Sequence, residues 1–187
     1  MWWSKYRIDR RGLGRVAFVL TAASLTGGCF VPLYGARPDG SETVRDKLVA
    51  VDIPAFTAQK GTDAARLAVA LRNALQYNFN GGAGPIAPTH RLTGNIATSA
   101  LTVVVDLTSG RPDAEVGVVN ASFQLVEIAT GKVVLRDTTF AHVDFDVPGS
   151  EQRFAAQSAQ ADAENRATQV VAAAIRNRVT SYFVAGT

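Results

Sequence analysis

Three long segments rich in β-branched and aromatic residues follow one another between residues 90 and 147, and they limit the possible folds of this chain more than any other feature. They run from His90 to Leu107, from Ala114 to Ile128 and from Lys132 to Val147. The first ends in the β-branched run Thr102 to Val105. The second carries Val116, Val118, Phe123, Leu125 and Ile128, and the third Val133, Val134, Leu135, Phe140, Val143 and Phe145. Such residues fit a pleated, half-buried surface. Their apolar positions change phase within each segment, which points to β-bulges. Thr130-Gly131 reads as a hairpin turn, and the link at 109–113, SGRPD, as a second turn with Pro at a favoured position.

Helical patterns flank this block. Asp63 is placed to cap a helix running to about Phe79, in which Leu67, Leu71 and Leu75 recur at i, i+4 and i+8 on one face. The run NGGAGPIAP at 80–88 ends it, because Gly supplies a C-terminal cap and Pro cannot continue. An alanine-rich helix is expected over 151–183, with Ser150 as N-cap and Glu151 complementing the helix dipole. Toward its end Val171, Ile175, Val179 and Tyr182 share a face, with Phe183 alongside. Before the first helix, residues 47–53, KLVAVDI, alternate as a strand that Pro54 terminates. The order β-α-β-β-β-α predicts an α+β fold: a mostly antiparallel four-stranded sheet with two helices packed on one face.

The N-terminal segment has a different character. Lys5, Arg7, Arg10, Arg11 and Arg15 precede a short apolar run, Val16 to Leu25, and small residues then lead to Cys29. This is the order of a secretory signal, and a run of roughly ten residues is too short to span a bilayer, which needs about twenty. Cys29 is the only cysteine, so a disulfide framework is not on offer. The segment LTGGC resembles a bacterial lipobox, which implies diacylglycerol on the Cys29 thiol and cleavage after Gly28. Several acyl chains together anchor a protein stably, where one alone does not. The expected organisation is a lipoprotein signal peptide over 1–28, a lipidated tether over 29–46 and a single α+β domain over 47–187.

The formal charge of +3 belongs to the signal. Removing residues 1–28 takes five of 19 Lys and Arg and one of 16 Asp and Glu, leaving 14 basic against 15 acidic residues. No basic run remains to follow a phosphate backbone, which argues against nucleic acid as a partner.

Little in the mature chain suggests catalysis. His90 and His142 are the only histidines, far apart and without Cys partners or HExxH spacing, so no metal site is expected. No GxSxG elbow accompanies the serines. Asp144 and Asp146 share a strand face, as general acid/base pairs do, but read as a solvated edge. Gly81-Gly82-Ala83-Gly84 follows a helix, where a phosphate loop follows a strand, and lacks GK[ST]. The leucine stripe reads as core. No cofactor is expected, and the chain reads as a non-enzyme.

The segment Cys29-Phe30-Val31-Pro32-Leu33-Tyr34-Gly35 resembles the mature start of the LptE family of lipopolysaccharide-assembly lipoproteins, in its alphaproteobacterial form. Arg153-Phe154-Ala155, Ala161-Asp162-Ala163, Asn165-Arg166-Ala167 and the stretch Ile175 to Phe183 are similar to the family's C-terminal helix. The resemblance implies a two-helix, four-stranded sandwich at the periplasmic face of the outer membrane. There a family member plugs the LptD β-barrel, helps assemble it and contacts lipopolysaccharide. Phe30 in place of Asp is consistent with outer-membrane sorting. Lipopolysaccharide carries acidic groups that Arg or Lys can engage, and Arg111, Lys132 and Arg136, in or beside the turns, are the candidates; as surface charges they equally serve solubility. Two other readings stand beside this one: an auxiliary lipoprotein of an ABC-type lipid transporter, and a lipid-tethered hydrolase, which requires His90 or His142 beside a buried Ser or Asp.

Overall fold

Three long strands and two long helices appear where the sequence patterns place them. The computed structural model describes residues 40–82, 84–105, 107, 112–146 and 153–186, and Val44–Thr187 is one compact unit. The elements in chain order are α1 (Val44–Val49), β1 (Val51–Asp52), α2 (Asp63–Asn80), β2 (His90–Val105), β3 (Pro112–Glu127), β4 (Val133–Asp146) and α3 (Arg153–Ala185). The sheet order is β1-β2-β3-β4, with β1 parallel to β2 and the remaining pairs antiparallel. The fold is α+β, with a mostly antiparallel sheet of four strands.

The meander β2-β3-β4 is held by continuous ladders, with Leu92 opposite Leu125 and Leu125 opposite Leu135. The register shifts that mark the expected bulges leave one extra residue on each long strand, Val103 on β2, Asp113 on β3 and Val134 on β4. The Thr130-Gly131 turn closes as a hairpin. Gly131 lies at φ 70°, where a Cβ is disfavoured, and its N–H donates to the Glu127 carbonyl at 2.8 Å. The other expected turn, at 109–113, falls mostly outside the described residues, as do Ser150 and Glu151.

Residues 47–53 depart from expectation. Only Val51–Asp52 is strand, and Val44–Val49 forms a short helix that begins inside the segment read as tether. Val44 and Leu48, one helical turn apart, are both buried. A short apolar run fits either period, and burial of this i, i+4 pair decides for helix. The chain then extends at Val51, and Asp52 accepts a 2.9 Å ion-paired hydrogen bond from Arg91 across the parallel pair. A parallel neighbour requires a crossover, and α2 supplies it.

α2 starts one residue earlier in its capping than expected: Thr62 is the N-cap, and Asp63 is in the first turn, where its charge suits the dipole. The C-terminus closes on Gly81 at φ 69°, with Gly81 N–H donating to Tyr77 and Gly82 N–H to Gln76. The first is the 5→1 bond of an αL cap and the second reaches six residues back, so that two of the last carbonyls are satisfied.

Both long helices, with α1 packed against them, cover one face of the sheet. The core joins Leu67, Leu71 and Leu75 of α2 to Leu92 and Ile96 of β2, to Val119, Ala121, Phe123 and Leu125 of β3, and to Val171, Ile175 and Val179 of α3. Alanines at 163, 167 and 172, all fully buried, continue the α3 stripe with small side chains. Arg66 of α2 reaches α3, donating to Glu164 at 2.7 Å and Asn165 at 2.8 Å. Arg178 of α3 reaches Asp137 of β4 at 2.8 Å.

Candidate functional site: the open face of the sheet

Side chains alternate across a strand, so the residues between the core positions point away from the helices. Register places Thr93, Gln124 and Arg136 in one row across β2, β3 and β4, and Asn95, Ser122 and Thr138 in the next. The first row is a hydrogen-bonded chain. Arg136 Nη2 donates to Gln124 Oε1 at 3.2 Å, and Gln124 Nε2 donates to Thr93 Oγ1 at 3.3 Å. In the second, the Ser122 and Thr138 hydroxyls are 3.1 Å apart. Further along, Phe140 and His142 stack at 5.2 Å between centroids.

The rim of this face is built by the segment after β1. Thr57 bridges Asn95 in parallel fashion, with its N–H on the Gly94 carbonyl at 2.9 Å and its own carbonyl accepting from Ile96 at 3.0 Å. Thr57 then lines a concavity of about 340 Å³ with Thr93, Gly94, Asn95, Ser122, Phe123, Gln124 and Arg136. Its polar side chains are hydroxyls, amides and one guanidinium, and Gly94 and Phe123 complete the lining. It supplies donors and acceptors in fixed positions with a single positive charge, which suits a polar surface or an acidic group.

Of the candidates read from sequence, Arg136 stands on this face and Lys132 is exposed in the turn four residues earlier. Arg111 and Cys29 lie outside the described residues. Thr57, Thr93, Asn95, Ser122 and Gln124 escaped the sequence reading, because uncharged residues in alternation resemble any solvated strand face. Only register shows them in rows.

The histidines stay apart, at the start of β2 and midway along β4. His90 shares a 2.9 Å hydrogen bond with Thr89 and meets the Phe183 ring edge-on at 5.2 Å. Among the described residues neither histidine adjoins a buried Ser or Asp in the manner of a nucleophile-base pair, and no cluster of His, Cys, Asp and Glu suits a metal. Burial lowers the His90 pKa from its ordinary 6.5, Glu127 opposes that shift, and Lys47 adds to it. Between the lowered value and 6.5 the unfolded chain binds more protons than the folded one, so stability falls as pH drops through that window. His90→Phe, which keeps a ring against Phe183, is expected to flatten that part of the curve. Melting temperatures of both proteins between about pH 7.5 and about pH 5 check this.

The comparisons with known proteins complete the picture. The model of the LptE family, described as lipopolysaccharide-assembly, matches residues 48–179. The chain belongs to the LptE family. A Caulobacter crescentus protein described as a lipoprotein has a similar fold: TM-score 0.58, 18% identity, covering 76% of this chain and 96% of its own. Rare lipoprotein B of Shewanella oneidensis is similar at TM-score 0.50 and 14% identity, covering 72% of this chain and 96% of its own. At such identities these two speak for the shared fold alone. No curated protein matches the chain in sequence. As an LptE-family chain this is a lipopolysaccharide-assembly lipoprotein, and among the described residues no helix is long and apolar enough to cross a membrane.

Proposed function

We propose that this LptE-family chain is anchored by lipid on Cys29 at the periplasmic face of the outer membrane, where it seats in the lumen of an LptD-like β-barrel, helps it assemble and contacts lipopolysaccharide in transit. Its role is structural and not enzymatic. The observation that carries the reading is the open sheet face, uncovered by the helices and laid out in rows of hydroxyl, amide and guanidinium groups. The interior of a membrane barrel is polar, and a partner of that kind requires hydrogen-bonding groups held in place, which the cross-strand chain Arg136-Gln124-Thr93 provides. Arg136 and Lys132, with Arg111, supply positive charge for the acidic groups of lipopolysaccharide.

The lipidated chain, solubilised from outer membranes in mild detergent, is expected to bring down a large β-barrel in about equal amount, as a one-to-one plug requires. Photocrosslinking residues at Ser122 or Thr138 should link to that barrel, and Lys132→Ala with Arg136→Ala should reduce lipopolysaccharide recovery while the barrel still co-purifies. Recovery of ABC-transporter subunits in place of a barrel would overturn the reading in favour of a transporter lipoprotein.

A further inference from the structure

Strand β4 ends the sheet, and among the described residues no strand pairs with its outer edge. It is 14 residues long. An edge of this length presents unpaired N–H and C=O groups to any strand that fits, and proteins usually blunt such edges with Pro, bulges or inward-pointing charge. β4 contains no Pro. Its pairing with β3 is regular from Leu135 to Asp146. The one charge on its helix-facing side, Asp137, is neutralised by Arg178 of α3 at 2.8 Å.

The open-face residues of β4 make a self-complementary sequence. Arg136 and Asp144 stand four residues to either side of Phe140, all on the same face by alternation. Neither charge has an ion-pair partner among the described residues. Phe140 is 62% exposed. We propose that β4 pairs antiparallel with β4 of a second copy of this chain, about a two-fold axis through Phe140.

In that register Arg136 of each copy faces Asp144 of the other, Thr138 faces His142, and the two Phe140 rings meet at the axis. No like charges are opposed. Opposite-charge and aromatic cross-strand pairs are the units that stabilise a sheet, and an isologous contact of this kind closes at two copies. Moving the axis to Ala141 sets Arg136 opposite Asp146, Asp144 opposite Thr138 and Phe140 opposite His142; each register pairs Arg136 with an aspartate, and the meeting of the two Phe140 rings favours the axis at Phe140. The sheet then runs continuously through both copies, with the open faces on the same side. This pairing stands independently of any barrel.

The test uses the full lipidated chain in mild detergent without a co-expressed barrel, oxidised gently with diamide; the parent chain, whose one cysteine is Cys29, sets the background. Directly opposed antiparallel residues have Cα atoms about 4.5 to 5.5 Å apart, within disulfide range. Phe140→Cys is therefore expected to form disulfide-linked dimers about tenfold more than Thr138→Cys or His142→Cys alone. A mixture of the last two should link, since those positions face one another. Arg136→Asp should weaken self-association by roughly tenfold, and adding Asp144→Arg should restore it. Equal linking at all three positions, no linking at any, or indifference to Arg136→Asp would overturn the pairing. Linking of Phe140→Cys to a different protein and not to itself would assign the edge to that protein and overturn it as well.

Discussion

Gly94→Ala is expected to destabilise the fold by about 3 kcal/mol or more, at the upper end for overpacking because backbone must move. A Cβ at Gly94 would lie 2.3 Å from the Ser122 carbonyl oxygen, 2.7 Å from Phe56 Cε1 and 3.1 Å from Phe123 Cα. Two of these neighbours are backbone of the paired strand, and the third belongs to a ring only 4% exposed. β2 and β3 must separate to admit the methyl group, and the bridge that seats Thr57 beside Gly94 goes with them. Gly117→Ala is the matched control. There the added carbon meets Phe145 and Val143 at 3.5 and 3.6 Å, ordinary contact, and the change is expected to stay within about 1 kcal/mol. Thermal unfolding of the two variants against the parent decides it; equal effects would mean that the close approach at Gly94 relaxes freely.

Leu71→Ala should cost about 2 to 5 kcal/mol, the range for deleting a buried leucine side chain and leaving part of the cavity unfilled. Leu71 is fully buried, as are Leu67 and Leu75 on the same stripe, and the cluster they enter includes residues of β2, β3 and α3. Val69, two residues away on the same helix and 57% exposed, supplies the comparison. Val69→Ala loses little contact and gains helix propensity, so its effect should be near zero. Urea unfolding should show a lower midpoint for Leu71→Ala at an unchanged slope. An effect below about 1 kcal/mol would mean the site collapses around the smaller side chain.

Much of the fold was legible because its signals were long. The leucine stripe of α2, the Gly cap after it and the three β-rich segments each extend over many residues, and the structure places them within a few positions of expectation. α1 was misread because its signal is a single turn: Val44 and Leu48 carry it alone, while the alternation of Leu48, Ala50 and Asp52 imitates a strand. The upper half of α3 gave only alanines, whose burial depends on how closely another helix approaches and not on their own hydrophobicity. The open face was less legible still. Gln124 becomes informative only when Thr93 and Arg136 stand on either side of it, and that depends on register set by core residues on the opposite face. Thr57 lies in an irregular segment, so no periodicity marked it for the edge of β2.

The mixed sheet has a consequence for the order in which the chain assembles. Strands β2, β3 and β4 are neighbours in sequence as well as in space, so their ladders grow outward from short connections and require little loop closure at each step. β1 is different. Its two residues reach His90 and Arg91 only across the whole of α2 and its flanking loops, a closure whose entropy is repaid late and by few contacts. The meander is therefore expected to form first, with the helices condensing on it and the β1 pairing made last. In native-state hydrogen exchange the β1–β2 pairing is expected to open before the meander. In the lipid-tethered chain proposed above, the part nearest the tether is then the part expected to yield first.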